Sequence, residues 1–252
     1  MKPDIAIFGG SWGCGEWGQD TSPGVLSIDQ NKITHLGLEQ YFTDLGHTVF
    51  NMSKPAGSNK ISIDKLTYFL STQRHNLIVL FIISDSTRNF GPKYATFKQD
   101  IVDHNGLFEF KAKILYNDLK ILNELGQQYN QVIQLIGALG SVPDIKQYSN
   151  LSCLCRSWPE LLIGDLYPDV DFEFFGIWEQ WLMDGEIINK WLTPKNLQQF
   201  DSAFADKLVQ QLHKLDANRI MLEHQLFYPD KCHPNRDGHK ILFNYIKEKL
   251  EL

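Results

Sequence analysis

The sequence predicts an α/β protein with a mostly parallel sheet, and three observations predict it. Short apolar runs rich in β-branched residues alternate along the chain with longer stretches of helical period, the pattern of strands joined by crossover helices. One run, NLIVLFII at 76–83, is apolar at every position after the first, as a central parallel strand covered on both faces must be. At 43% hydrophobic and 21% charged residues, the composition fills a sizeable core and is not that of a disordered chain.

The elements follow in order. DIAIF at 4–8 reads as the first strand, about 28–44 as a helix, and HTVFN at 47–51 as the second strand. A helix over 61–74 leads to the central strand at 76–83, and a helix over 106–126 to QVIQLIG at 131–137. LSCLCR at 151–156 is the weakest strand signal. Residues 157–195 carry four of the six tryptophans, fit neither period, and are expected to form an insertion near one sheet edge. A helix over 197–224 shows Phe200, Phe204, Leu208, Leu212 and Leu215 at intervals of four and three, an apolar stripe for packing. A last helix covers 237–251. No repeat or linker divides the 252 residues, a length that one α/β domain can fill, so a single domain over 1–252 is expected.

The charge balance excludes some partners. Net charge is −6 and no dense Lys/Arg cluster occurs, so a nucleic-acid partner would lack its main electrostatic attraction. No stretch approaches the ~18 uncharged apolar residues of a membrane span, and MKPDIAIFGG lacks the pattern of a signal peptide. The expectation is a cytoplasmic protein whose four cysteines, Cys14, Cys153, Cys155 and Cys232, are reduced thiols.

Two dense motifs remain. The first is GGSWGCGEWG at 9–18, directly after the first strand. Residues 13–18 match G-x-G-x-x-G, but a dinucleotide fingerprint needs a helix to begin within the glycines, and here QDTSPG follows with no helical period before about Ile28. The acidic residue at the tip of the second strand is also missing, since that strand ends in Asn51-Met52-Ser53-Lys54. Ser11 suits a different role, because at the carboxyl end of a parallel strand its hydroxyl faces the crevice where open α/β sheets keep their sites. A serine nucleophile needs a base and an orienting group. The second motif, YPDKCHPNRDGH at 228–239, supplies Asp230 and His233 on a turn pinned by Pro229 and Pro234. Zinc binding by Cys14, Cys232, His233 and His239 lacks ligand spacing, and Cys14 lies three residues further from the strand end than Ser11.

GGS at 9–11, NMSKPAGSN at 51–59 and DKCHP at 230–234 resemble, in order, blocks of the SGNH, or GDSL-type, hydrolases, over a span from Ile5 to about Ile246. The resemblance implies a flavodoxin-like three-layer sandwich, about five parallel strands with helices on both faces. It implies ester hydrolysis through an acyl-enzyme with no cofactor or metal, acting on an acetyl or acyl ester of a small molecule or carbohydrate. By position, Ser11 is the nucleophile, His233 the general base and then acid, Asp230 the residue that orients it, and the N–H groups of Ser11 and Gly57 the oxyanion donors. Two departures stand out. Gly10 occupies the family's aspartate position, and in place of G-x-N-D the central strand runs into Ser84-Asp85-Ser86-Thr87-Arg88-Asn89. Loss of one oxyanion donor costs ~10²–10³ in rate, and Ser84, Ser86 and Asn89 are the candidates to replace it. SWGCGEW, the Thr-Arg after the central strand and HPN-x-x-GH are similar to SGNH proteins of tailed phages, which would add virion proteins as partners and a virion as location.

Plainer readings stand beside these. Trp12 and Trp17 either stack on substrate sugar or pack the loop, and Arg88 either binds a substrate anion or pairs with Asp85. His239 reads as structural, and Trp158, Trp178, Trp181 and Trp191 as a small core within the insertion. The alternative to a serine esterase is a non-catalytic SGNH-like module, structural or ligand-binding.

Overall fold

The computed structural model describes residues 2–18, 33–55, 57–72, 76–84, 107–138, 141–166, 168, 224–227 and 233–252. Its strands are β1 (Asp4–Phe8), β2 (Glu16–Trp17), β3 (Ile33–His35), β4 (Val49–Asn51), β5 (Leu77–Ile83), β6 (Ile133–Gly137) and β7 (Leu151–Cys155). Its helices are α1 (Leu38–Asp44), α2 (Asn59–Thr72), α3 (Leu107–Tyr129), α4 (Trp158–Ile163) and α5 (Arg236–Lys249). The predicted helix at 197–224, apart from its last residue, and most of the expected insertion lie outside the described residues.

Five strands make one parallel sheet in the order β4-β1-β5-β6-β7, with Ile7 beside Asn51 and Leu80, and Val79 beside Ile133. Numbered along the chain within that sheet, the order is 2-1-3-4-5, the flavodoxin-like arrangement. Alternation along each strand divides the core into two faces. Ile5, Ile7, Leu80 and Ile82 meet Leu38 and Phe42 of α1 and Leu242 and Ile246 of α5. Ala6, Phe8, Val79 and Phe81 meet Leu66 and Phe69 of α2 and Leu119 and Leu122 of α3. The fold is therefore an α/β sandwich with helices on both faces. The strand order reverses between β1 and β5, which puts the crevice at their carboxyl ends, where Ser11 and Ser84 follow. Among the described residues, no helix is long and apolar enough to cross a membrane.

Two elements depart from expectation. The helix expected from about 28 begins only at Leu38, because Gly37 takes φ +58 and the β-branched Ile33 and Thr34 extend into β3, paired antiparallel with β2. Within the stretch that fitted neither period, α4 forms on a serine N-cap: Glu160 N–H donates to Ser157 Oγ at 3.3 Å, and Pro159 occupies the first turn. Trp158 belongs to the main core beneath α5, not to a separate insertion core.

Candidate active site

β1 is fully buried from Ile5 to Phe8 and ends in Gly9-Gly10, which lead into a 3₁₀ turn over Ser11–Gly13. The turn closes through Gly13 N–H to Gly10 O at 3.1 Å and Cys14 N–H to Ser11 O at 3.1 Å. Ser11, first in the turn, places its Oγ 2.7 Å from Nε2 of His233, 222 residues away. With the imidazole proton on Nδ1, the hydroxyl donates and Nε2 accepts. His233 is held by the start of α5. The Asn235 side chain caps that helix, accepting from Gly238 N–H at 3.0 Å, and Asn235 N–H donates to Leu226 O at 2.8 Å. Both members of the pair are buried, Ser11 at 2% and His233 at 4% exposure, so their hydrogen bond forms out of bulk water.

The ribbon of β2 and β3 lies against the same pair. Trp17 is buried, its indole ring centred 5.4 Å from the His233 ring, and its Nε1 donates to Ser11 O at 3.1 Å. Next to it, the buried carboxylate of Glu16 accepts from Arg236 N–H at 2.7 Å, Arg236 Nη2 at 2.8 Å, Arg236 Nε at 3.1 Å and Thr34 Oγ1 at 2.6 Å. Burial opposes ionisation of Glu16, but these bonds and the guanidinium charge outweigh it and hold the carboxyl down to about 2.

On the opposite flank, Ser84 ends β5 and is locked by an amide: Ser84 N–H donates to Asn59 Oδ1 at 2.8 Å, and Asn59 Nδ2 donates to Ser84 O at 3.3 Å and to Asp118 Oδ2 at 3.2 Å. All three residues are buried, while Ser84 Oγ has no hydrogen-bond partner among the described residues. Gly57 backs onto Gly9 and Gly10, and its N–H donates to Lys54 O at 2.9 Å. The Ser11 N–H makes no backbone hydrogen bond among the described residues. A Cβ at Gly10 would stand 3.2 Å from Gly57 O and 3.3 Å from Ser84 Oγ, so a side chain there would need these neighbours to give by a few tenths of an ångström.

Trp12 follows the packing reading of the two that the sequence left open. At 1% exposure it packs edge-on to Trp158 at 5.5 Å and near Phe227 at 6.0 Å, a core side chain with no face for a substrate. Trp17 is also buried, its ring tilted by 39° to that of His233. Burial pushes the Cys14 thiol up to about 12, against the opposing charge of Lys65, which disqualifies it as a thiolate nucleophile. His239 is fully buried against Trp158, and burial pushes it down to about 3, a neutral core histidine. Asp230, Cys232, Ser86, Arg88 and Asn89 lie outside the described residues. Among the described residues, no group of three or more His, Cys, Asp or Glu side chains is placed to hold a metal ion.

Sequence reasoning passed over Glu16, Thr34, Asn59, Asp118 and Arg236. Asn59 closes the 51–59 motif and Glu16 is an acid inside a glycine-rich loop, but their partners are 18 to 220 residues away.

No family model matches the chain, and no curated protein does. Among solved structures, the lipase/acylhydrolase from Enterococcus faecalis is similar over 99% of this chain and 96% of that one, at 11% identity and a TM-score of 0.36. A likeness this loose does not carry that protein's chemistry across.

Proposed function

We propose that the chain is a serine hydrolase of the SGNH type that cleaves a carboxylic ester through an acyl-enzyme. The observation that carries the reading is the 2.7 Å contact between Ser11 Oγ and His233 Nε2 at the carboxyl end of a parallel strand, where the sheet order reverses.

In the reaction, Nε2 takes the hydroxyl proton as Oγ attacks the ester carbonyl carbon, and the carbonyl π electrons move to oxygen. The Ser11 N–H, uncommitted to other backbone among the described residues, donates to that oxyanion. Collapse expels the alcohol, which receives the proton from His233 and leaves an ester on Ser11. Water, deprotonated by the same imidazole, then attacks the acyl carbon, and collapse releases the acid as the imidazolium returns the proton to Ser11 Oγ. Asp230, assigned from the sequence, orients the ring. Gly57 joins as a second donor only by sharing its N–H with Lys54 O. Since Ser11 is 2% exposed, the site must open to admit an ester, which favours small acyl groups. With Trp12 and Trp17 turned inward, a sugar-stacking platform has no support from them.

The committed Gly57 N–H and the burial of Ser11 favour a second reading, a non-catalytic module on the same fold. One experiment separates the two. A fluorophosphonate probe is expected to label wild type and not Ser11→Ala, and turnover of a chromogenic acetyl ester is expected to fall in Ser11→Ala by on the order of 10⁴ or more. No labelling of folded wild type would establish the non-catalytic reading.

A further inference from the structure

Ser11 and His233 lie 222 residues apart, so no local backbone geometry sets their separation. Something tertiary must hold the turn after β1 against the start of α5 to within a fraction of an ångström. The ribbon of β2 and β3 touches both. Through Trp17 it takes the Ser11 carbonyl as acceptor and lies over the His233 ring. Through Glu16 it grips Arg236, three residues beyond His233, by backbone and side chain together.

The Glu16 contact is not an ordinary surface ion pair. Glu16 is 6% exposed, and its carboxylate takes donors on both oxygens, a planar fork from the guanidinium and a helix N-terminal N–H among them. Thr34 on the partner strand fills a further site on the same carboxylate. The Arg236 side chain is 55% exposed, so hydrophobic packing does not explain its placement. Tyr41 of α1 adds an O–H bond to Arg236 O at 2.9 Å, bracing the same residue from the other side.

We propose that Glu16 is a positioning residue of the candidate active site: by clamping Arg236 it fixes the start of α5, and hence His233, at hydrogen-bonding distance from Ser11. The inference rests on the serine-hydrolase reading for its catalytic consequence, but not for its geometry. A misplacement of about 1 Å costs roughly a hundredfold in rate where reacting groups must be aligned.

The test compares full-length wild type, Ser11→Ala, Glu16→Gln, Arg236→Ala and Arg236→Lys, each at a temperature where it is folded by circular dichroism. Glu16→Gln is expected to lower the limiting rate of fluorophosphonate labelling by roughly ten- to a hundredfold, with little change in the half-saturating probe concentration. Arg236→Ala, which keeps the backbone N–H and Thr34 bonds, falls less, and Arg236→Lys recovers only part because an ammonium cannot reproduce the fork. A wild-type limiting rate in folded Glu16→Gln overturns the proposal. If Glu16→Gln does not fold, an unchanged rate in Arg236→Ala overturns it instead. If wild type does not label at all, the hydrolase reading fails, and the clamp is judged by the histidine ring spectrum. The His233 Nε2 resonance that shifts in Ser11→Ala must then shift in Glu16→Gln as well, and an unmoved resonance overturns the proposal.

Acid adds an independent readout. Glu16 is held at about 2 against an ordinary 4.5, so its stabilisation is complete above the ordinary carboxylate range and is lost as pH falls through about 2. The groups facing it are Arg236, Tyr41 of α1, His35 of β3 and His239 of α5. The Glu16 charge raises His239 by the smallest of the effects acting on it, so burial pushes His239 slightly further down in Glu16→Gln. The Tm difference between these two proteins is therefore expected to narrow as pH falls through that window, and a constant difference counts against a charged clamp.

Discussion

The two flanks of the crevice are tied together by different means. On the His233 flank, the bonds run between segments some 220 residues apart: Ser11 to His233, and Glu16 to Arg236. On the Ser84 flank, a single amide, Asn59 at the start of α2, completes the backbone of a strand end, accepting from Ser84 N–H and donating to Ser84 O. The first set joins elements distant in the chain and bears on their separation. The second satisfies backbone groups that have left the sheet ladder in a buried place, where an unpaired N–H or C=O is costly. Damage to the first should appear as lost rate in a folded protein, and damage to the second as lost stability.

The largest expected effect is on the first flank. His233→Ala removes the base and leaves the cap, the ribbon and both core faces in place. Ester turnover is expected to drop by on the order of 10³-fold or more, while thermal unfolding moves by only a few degrees. A drop in turnover matched by collapse of the melting transition would mean that His233 is a core residue first, and the contrast between the flanks would lose its basis.

Asn59→Ala is expected to reverse that balance. It strips Ser84 N–H, Ser84 O and the Asp118 carboxylate of their bonds to the amide in a buried site. The cost is about 2–4 kcal/mol, a fall in Tm of roughly 5–15 °C for a chain of this size. Labelling of the molecules that remain folded should change by less than about tenfold. A near-normal Tm would show that water or a neighbouring group replaces the amide.

The same division marks what the sequence made readable. Strands written in continuous apolar runs, such as 76–83, were legible because a parallel strand buried on both faces leaves few alternatives, and all five sheet strands fall within two residues of expectation at each end. Ser11 and His233 were legible because each sits in a dense motif at a strand end or helix start. The β3 strand was not, because Ile33 and Thr34 continue a helical-looking stretch and only pairing with Glu16 and Trp17 makes them extended. Whether Trp12 turns outward or inward depends on Trp158 and Phe227, far along the chain, so the loop alone holds no signal for it. The Glu16–Arg236 clamp has no local signature for the same reason.

Ser84→Ala gives the smallest effect and the finest test of the contrast. The Ser84 hydroxyl is buried without a partner among the described residues, a costly state for a polar group, and a Cβ built at Gly10, the residue before Ser11, would stand 3.3 Å from it. Removing an unsatisfied hydroxyl should leave the stability unchanged or raise it by up to about 1 kcal/mol. If the hydroxyl finds its partner only when charge develops on the substrate oxygen, kcat falls by about tenfold with KM unchanged. Stability held and kcat lowered would make Ser84 the side-chain donor that the missing asparagine would otherwise supply, and would place one catalytic contact on the flank otherwise devoted to the fold. Unchanged kcat would leave the oxyanion to backbone N–H groups alone, and the division between the two flanks would be complete.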